Sequence, residues 1–403
     1  MDRYPVVILD RPIRIFDFKP IPLLCLIAAG LVALKLSSYI DPHLLIGNLP
    51  LRLITFLSAF CMTIPTVKLV ESIPPKRWLK IIKHIREPLP LYLPEKELSA
   101  SLNGSSSACS CLKISNKDVA NLDALQRLKI ADTIVDFAND QSGSLQIYSP
   151  PNSAQSETEQ RDFYLIGKEN SRLIKLADSI KKYGLSLETV STVDVRKLLY
   201  AQLSPSHPEP DLHTINSITS GGDLLSLCIN GFEHHHSYLQ IDDTFVSTIH
   251  LYSLPFEVNF GLIDKLFNCD VDLAFSMYLR PCNMPALKEQ ARSRLYFEQS
   301  TAGIFDTNKT SASHLEQIRA FCESKIVATA ISISATIYAD SLNELDCQIM
   351  KAKKAVLQMG AGSTRRYDDE LEGMISGLPI CEDMVAYSHT ITSQAAAKFI
   401  PFL

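Results

Sequence analysis

Residues 326–360 read IVATAISISATIYADSLNELDCQIMKAKKAVLQMG, and their hydrophobic period changes near Asp340. Before Asp340 apolar and polar side chains alternate, which predicts a strand. After it the apolar positions recur at helical spacing, and Ser341 with Glu344 forms a capping-box pattern. We expect a helix that buries Leu342, Leu345, Ile349, Ala352 and Val356. The stretch therefore predicts a strand followed by a helix that ends at Gly360.

The residues upstream supply the rest of a sheet. Residues 245–252 alternate after an Asp242-Asp243 turn, residues 256–267 predict a short helix, and residues 271–279 alternate again. Residues 285–325 are polar and helical, as in an inserted helical hairpin. The order strand, helix, strand, insertion, strand, helix predicts an α+β fold with a ferredoxin-like, split β-α-β sheet over residues 218–360.

An earlier α+β subdomain is predicted over residues 112–203. Residues 144–150 and 163–167 indicate short strands, and residues 172–184 and 193–203 indicate helices. In the first of these helices we expect Leu173, Ile174, Leu176, Ala177 and Ile180 to be buried, with Gly184 at its end. Beyond the loose echo of strand and helix order within residues 218–360, the sequence shows no internal repeat.

Two apolar runs precede both subdomains. Residues 21–40 and 49–70 are each about as long as the ~20 residues that a helix needs to cross a bilayer. They predict a two-helix transmembrane hairpin within residues 1–94; a buried helical hairpin is the alternative. Positive charges before the first run and after the second, with none in the connecting loop, place both termini in the cytoplasm of a multi-pass inner-membrane protein.

A cationic helix is predicted after the second run, in KRWLKIIKHIRE, residues 76–87. Trp78, Ile81, Ile82 and Ile85 share one helical face. Such a helix can lie in the headgroup region and contact anionic lipid, although a solvated helix fits equally well. The candidate membrane-interface residues are Lys76, Arg77, Trp78, Lys80, Lys83 and Arg86.

Composition narrows the function classes. The net charge of −5 gives no case for direct nucleic-acid binding. The ten cysteines form no C-x-x-C pair, which indicates reduced, mostly buried thiols. The closest pair, Cys109 and Cys111, lies in a Ser-rich run, and we predict a linker over residues 95–111.

The three consecutive histidines, His234, His235 and His236, raise the question of a metal site. On a strand His234 and His236 would share a face. However, a zinc site needs three or four converging ligands, and no cysteine or carboxylate pair stands nearby at ligand spacing. Exposed histidines at a strand edge are therefore the favoured interpretation, and we expect no metal.

Two glycine-containing stretches resemble phosphate loops only partly. GIFDTNKT, residues 303–310, has Asn308 where the second glycine of G-x-x-x-x-G-K-[ST] belongs, and no apolar strand precedes it. GAGSTRR, residues 360–366, lacks the lysine and follows a helix, so it is read as a helix terminator. No nucleophile and base stand at a motif spacing. We expect no cofactor and no catalytic residues.

Residues 237–283 resemble the N-terminal domain of the conjugation and type IV secretion ATPases, the TraC/TrbE/CagE group. The resemblance rests on Leu254-Pro255 after a strand, a helix at Leu262–Leu266, a strand closing at Tyr278–Pro281, and a helical pair after it. Residues 341–359, GLPICEDM (377–384) and the stretch after it also look like this family. Residues 4–94 resemble the small two-span PrgI/TraL-type membrane component.

This resemblance implies a secretion component without its ATPase domain. The family's phosphate loop follows the equivalent of Pro401, so residues 361–403 would lead into a nucleotide-binding domain that this chain lacks. The expected role is a non-catalytic docking component of a conjugative DNA-transfer or type IV secretion system. The expected partners are inner-membrane lipid, secretion-channel subunits, a separate ATPase domain and further copies of the chain. The anchoring half of a split ATPase and an unrelated membrane-tethered interaction module are the alternatives.

Overall fold

The computed structural model describes residues 4–5, 45–46, 49–50, 110–114, 116–140, 144–151, 161–204, 228–229, 231–235, 237–255, 257–301, 310–323, 326–365, 370–385 and 388–403. The chain forms two compact units. One comprises Met1–Asp10 with Pro90–Leu403 and is called the body below; the other is Arg11–Leu89.

The elements are numbered in chain order. The strands are β1 (Tyr4–Pro5), β2 (Leu45–Ile46), β3 (Leu49–Pro50), β4 (Ser110–Ile114), β5 (Leu145–Ser149), β6 (Tyr164–Gly167), β7 (Leu187–Thr189), β8 (Phe232–His234), β9 (Leu239–Ile241), β10 (Thr244–Ser253), β11 (Glu257–Val258), β12 (Leu273–Pro281), β13 (Ala328–Ala339), β14 (Gly362–Arg365) and β15 (His389–Thr392). The helices are α1 (Asn116–Asn121), α2 (Ala124–Asn139), α3 (Asn170–Lys181), α4 (Thr192–Leu203), α5 (Asp264–Phe267), α6 (Met284–Thr301), α7 (Thr310–Glu323), α8 (Leu342–Gln358), α9 (Glu370–Gly377) and α10 (Ser393–Ala397).

The Arg11–Leu89 unit is described only at β2 and β3. These two strands pair antiparallel, so the chain reverses direction between Ile46 and Leu49. Leu49 and Pro50, the first residues of the second predicted span, therefore belong to this strand pair rather than to a helix. The remainder of both predicted spans lies outside the described residues. Within the described ranges, no helix has the length and apolar character needed to cross a membrane.

The body is an α+β structure around one antiparallel sheet. The sheet has eleven strands, in the order β7-β4-β6-β5-β12-β13-β10-β9-β8, with β14 also pairing β10 and β15 also pairing β13. All of its described pairings are antiparallel.

The later half of the sheet has the split β-α-β order that the sequence predicts. The first β-α-β unit consists of β10, α5 and β12, and the second of β13, α8 and β14. Strand β13 lies between β10 and β12, and β10 lies between β13 and β14, so each unit is divided by a strand of the other. Helices α6 and α7 form the inserted hairpin between β12 and β13. We call β10, β12, β13 and β14 with their helices module B.

The earlier half repeats this arrangement, which the sequence did not reveal. Strands β4 and β5 flank β6, and β6 and β7 flank β4, so module A (β4 to β7 with α2 and α3) has the same strand order as module B. The two modules join edge to edge where β5 pairs with β12, with Ile147 opposite Met277. Strands β5 and β12, each the second strand of its module, therefore pair with each other at the centre of one continuous sheet.

Both faces of this sheet are covered, so the body has three layers. Along β12, Leu273, Phe275 and Met277 enter one core with helices α2, α3, α8 and α10. The intervening Ala274 faces a second core with α4 and α9. The apolar residues Phe399, Ile400, Phe402 and Leu403, at the end of the sequence, are buried in the first core.

Several local expectations differ from the structure. Strand β4 begins at Ser110 and buries Cys111, inside the stretch predicted as a linker. The helix predicted over residues 256–267 is confined to Asp264–Phe267, because β11 occupies its start and Gly261 has a φ of +77°. Ile174 is 44% exposed since it lies 100° around α3 from the buried Leu173.

Leu342 also differs from its prediction. It is 39% exposed at the first position of α8, although Leu345, Ile349, Ala352 and Val356 are buried as predicted. The Ser341 hydroxyl accepts a hydrogen bond from the Glu344 amide, which confirms that side of the predicted cap. Gly360 ends the helix with a φ of +76°, as the helix-terminator interpretation of GAGSTRR requires.

Candidate functional site

The predicted membrane-interface residues lie outside the described part of the structure. These are Lys76, Arg77, Trp78, Lys80, Lys83 and Arg86. Their assignment remains a prediction from the sequence.

The histidine run lies at one end of the sheet. His234 is the last residue of β8, the outermost strand. The His235 ring stacks on Tyr238 at 4.3 Å, and its Nε2 lies 3.1 Å from a Glu233 carboxylate oxygen. His236 is outside the described residues. In the part of the chain that is described, no group of three or more His, Cys, Asp or Glu side chains could hold a metal ion.

The partial phosphate loop lies in the helical hairpin. Residues 303–309 are outside the described ranges, but α6 ends at Thr301 and α7 begins at Thr310. A phosphate loop follows a strand and precedes a helix. Here the preceding element is a helix, so the sequence pattern lacks the structural setting of that motif.

The most developed polar arrangement in the body lies under α9, on the face opposite α2. We call residues 370–385, which include GLPICEDM, the latch segment. The last carbonyl groups of a helix have no partner within it. The Gly377 carbonyl accepts hydrogen bonds from Gln202 Nε2 at 2.9 Å and Ser276 Oγ at 3.2 Å. The Leu378 carbonyl accepts one from Gln146 Nε2 at 2.8 Å.

Further bonds complete this network. Gln146 Oε1 accepts from the Cys381 amide at 2.8 Å, and Tyr148 donates its hydroxyl to Gln202 Oε1 at 2.8 Å. The Tyr278 hydroxyl lies 2.7 Å from the Ser376 carbonyl oxygen. Because Gln146 and Tyr148 belong to β5, and Tyr278 to β12, the latch segment is bonded to both modules across their junction.

Charged groups fix both ends of the latch segment. Asp383 Oδ2 is 2.8 Å from Arg280 of module B, and Glu382 Oε1 is 2.6 Å from Lys168 of module A. At the other end the buried Glu370 carboxylate accepts hydrogen bonds from the Thr248 amide at 2.9 Å and the Ser247 hydroxyl at 3.0 Å. Strand β9 pairs with β10 as far as Val246, and β14 pairs with it from Ile249. The Glu370 carboxylate bonds to the two residues of β10 between these pairings.

Burial favours the neutral forms of the tyrosine and cysteine side chains of this network. Burial raises the pKa values of Tyr148 and Tyr278 well above the usual range for tyrosine. Burial also raises the pKa of Cys381 to about 11, against the opposing effect of its hydrogen bond with Ser144. A thiolate rather than a thiol is the nucleophile, so Cys381 is poorly suited to nucleophilic chemistry near neutral pH. The network is suited to holding the modules together.

Two surface features on the other side of the sheet carry complementary chemistry. The first is a groove of about 460 Å³, lined by Asp132, Val135, Asp136, Ile326 and Val327 among others. Burial raises the pKa values of Asp132 and Asp136, and each of these carboxylates also has an acidic neighbour along α2 that adds to the effect. Lys398 opposes the rise in the pKa of Asp132. The groove thus combines apolar side chains with two partly buried carboxylates.

The second feature is the outward stripe of α8. Met350 is 65% exposed and Leu357 is 73% exposed. Lys353 and Lys354 lie between them at helical spacing on the same side of the helix. We call these four residues the α8 patch. Sequence reasoning used this helix only for its buried positions; the pattern M-x-x-K-K-x-x-L on the opposite side was the signal available.

Comparison with known proteins assigns neither the sheet nor these surfaces to a family. No family model matches the chain, and no curated protein matches it significantly.

Proposed function

We propose that the chain is a membrane-anchored, non-catalytic docking component of a conjugative DNA-transfer or type IV secretion system. The hairpin at residues 21–70 would hold it to the inner membrane, with the candidate interface helix at residues 76–87 against anionic headgroups. The body would supply the protein–protein surface. Its partners would be channel subunits, further copies of the chain and an ATPase domain supplied by another chain.

The observation that carries the anchoring proposal is the pairing of β1 with β11. Tyr4 pairs with Val258 and Pro5 with Glu257, so residues that precede the first apolar run form part of the body, which follows the second run. Val258 is buried. With the apolar runs crossing a membrane, as proposed, residues on both sides of them would lie in one compartment, so the number of crossings between them would be even. Two crossings with the β2–β3 reversal between them satisfy this requirement.

The secretion assignment rests on where the resembling motifs lie in the fold. Leu254-Pro255 follow β10, Tyr278–Pro281 end β12, and α6 and α7 form the long helical pair after it. GLPICEDM lies in the latch segment, which bonds to both modules. The strand before Leu254-Pro255, the strand closing at Tyr278–Pro281 and the helical pair thus follow one another in the order on which the resemblance rests.

A double-cysteine variant tests the β1–β11 pairing. Cα atoms of paired antiparallel residues lie about 4.5–5.5 Å apart, within the range that a disulfide spans. We expect Tyr4→Cys with Val258→Cys to cross-link on mild oxidation in the full chain. Tyr4→Cys with Tyr252→Cys is the control, because Tyr252 is exposed and is not paired with Tyr4. Equal cross-linking of both pairs would remove the argument for an even number of crossings.

Nucleotide hydrolysis separates the proposed role from its alternatives. The full chain, purified in mild detergent, is assayed alone and with the product of the gene downstream. The docking role predicts no turnover by the chain alone. Turnover only on mixing would assign it to the anchoring half of a split ATPase. Turnover by the chain alone would contradict a non-catalytic role, and the absence of secretion genes from its neighbourhood would favour an unrelated tethered module.

A further inference from the structure

The α8 patch is an exposed helix face with a defined chemistry. Met350 and Leu357 lie seven residues apart, about 10 Å along the helix axis. The ammonium groups of Lys353 and Lys354 stand between them. A group of exposed apolar side chains bordered by charged residues is typical of a docking surface, whereas isolated exposed apolar side chains are common on any protein surface. A partner for this patch must offer both an apolar recess and negative charge.

The groove at α2 offers both on the same chain. Ile326 and Val327 supply apolar surface, and Val327 is 42% exposed. Asp132 and Asp136 supply two carboxylates one helical turn apart. Each of these carboxylates is partly desolvated, and Asp136 adds to the burial that raises the pKa of Asp132, while Lys398 opposes this rise. Cations placed beside the pair would relieve that repulsion.

We propose that the α8 patch of one copy of this chain docks into the α2 groove of a second copy. Met350 and Leu357 would contact the Ile326–Val327 side of the groove, and Lys353 and Lys354 would pair with Asp132 and Asp136. The patch belongs to module B, and the groove is formed where α2, the start of β13 and α10 meet. Because the two surfaces differ, the contact is head-to-tail, and its repetition produces a ring or an open filament.

The inference rests on the docking role proposed above, and it names one partner for that role. It does not depend on membrane insertion. Co-purification of two copies measures the contact, whereas resistance to alkaline extraction measures anchoring, so either can fail without the other.

Charge reversal in the full chain provides the test. Two copies with different affinity tags are produced together and purified in mild detergent, and co-purification through one tag is measured. Lys353→Glu with Lys354→Glu should reduce it at least tenfold, because glutamates would face Asp132 and Asp136. Asp136→Lys should reduce it similarly. Lys181→Glu with Lys182→Glu, an equal charge change on the exposed end of α3, should leave it unchanged.

Mixing the two defective variants gives the decisive result. Each contact then joins an acidic surface of one copy to a basic surface of the other, so co-purification should return to within about threefold of the wild-type value. Such recovery would also show that both variants fold. Failure of the mixture to recover, or full association of either variant alone, would overturn the head-to-tail contact.

An apolar substitution provides an independent measurement. Leu357→Asp should weaken co-purification, while Leu342→Asp, at an exposed apolar position at the other end of the same helix, should not. Equal effects would place the contact elsewhere on α8. If wild-type association requires added anionic phospholipid and is insensitive to Asp136→Lys, the patch binds lipid headgroups and the proposal is wrong.

Discussion

Replacing Gly377 with alanine would push α9 off the sheet. A Cβ atom at this position would lie 2.3 Å from Thr336 Oγ1, whereas real Cβ contacts essentially never fall under 3.0 Å. The difference, 3.0 − 2.3, is about 0.7 Å. Thr336 is fully buried on β13, and its Oγ1 lies 3.2 Å from Thr248 Oγ1, so rotation of this hydroxyl away from the glycine would break a buried contact. We therefore expect the helix to rise by about this amount.

The rise would break the bonds that hold the latch segment. The Gln202–Gly377 and Ser276–Gly377 hydrogen bonds are 2.9 and 3.2 Å long, so a displacement of that size takes both to or beyond the useful limit. Overpacking costs about 1–3 kcal/mol, and each lost hydrogen bond about 1 kcal/mol. Alanine returns at most about 1 kcal/mol through helix propensity. We expect a net loss of about 2–4 kcal/mol in the free energy of unfolding.

A double-mutant cycle isolates the cause. Thr336→Ala removes Oγ1, and its remaining Cβ would lie at 3.3 Å, which small shifts can accommodate. In that background Gly377→Ala should cost less than about 1 kcal/mol, a coupling of about 2 kcal/mol. Gly231→Ala is the control, because its nearest neighbour lies at 3.6 Å. Urea unfolding is followed by circular dichroism because the single tryptophan, Trp78, lies outside the body. An equal cost of Gly377→Ala in both backgrounds would refute this contact as the cause.

Three further predictions concern buried and half-buried polar groups. Gln146→Leu leaves the buried Cys381 amide without its partner and removes one of the two donors to the Leu378 carbonyl, which keeps the Ile380 amide, so we expect it to lower the free energy of unfolding by about 2–4 kcal/mol, measured by urea denaturation; an unchanged midpoint would refute the network's role. In native thiol labelling Cys347, which is exposed, should react long before Cys381, whose pKa is raised to about 11, and equal rates would mean that the latch segment opens freely. Burial is the chief cause of the raised pKa of Asp132, so the folded state binds this proton more tightly than the unfolded state, and stability falls as pH rises above 3.8. Asp132→Asn should therefore raise the urea midpoint of unfolding at pH 7. A gain of the same size near pH 4 would contradict burial as the cause.

Module B could be predicted because its signals are local and strong. Strand β13 alternates from Ile331 to Ile337, and α8 has a cap, a periodic apolar face and a terminating glycine. The residues of β10 and β12 alternate in the same way. The order of these elements along the chain then limits the sheet to few arrangements.

Module A was only partly predictable, and its likeness to module B not at all. Strand β7 has three residues and β4 follows a Ser-rich run, so neither gives a clear alternation. Helix α2 carried an overlooked signal, since Asp123 and Gln126 form a complete capping box before the buried Ile130 and Ile134. The shared strand order depends on pairing between distant strands, which periodicity does not report.

The latch network escaped sequence reasoning for a different reason. Ser334 and Thr336 alternate with apolar residues, a pattern typical of a strand with one solvated face. In the structure both are buried beneath α9, which approaches the sheet closely because Gly373 and Gly377 carry no side chain. Likewise, Gln146 and Tyr148 look like surface residues of a short strand until α4 and the latch segment cover them. Covering the second face of a sheet with helices is a tertiary property, and it does not change the alternation of polar and apolar residues along the strand.

The central proposal, a body anchored by a two-span hairpin, is tested most directly by sidedness in native membranes. Variants of the full chain that keep a single cysteine each, the other native cysteines being replaced by serine, are produced in a bacterial inner membrane, extracted with alkaline carbonate, and labelled with a membrane-impermeant maleimide. Tyr4→Cys and His43→Cys report the two sides of the first apolar run, and exposed Cys347 reports the body. We predict that the chain resists extraction and that only the residue-43 position is labelled from outside intact cells, while positions 4 and 347 require inverted vesicles. Release by carbonate, or labelling of positions 4 and 43 from the same side, would contradict membrane anchoring by this hairpin.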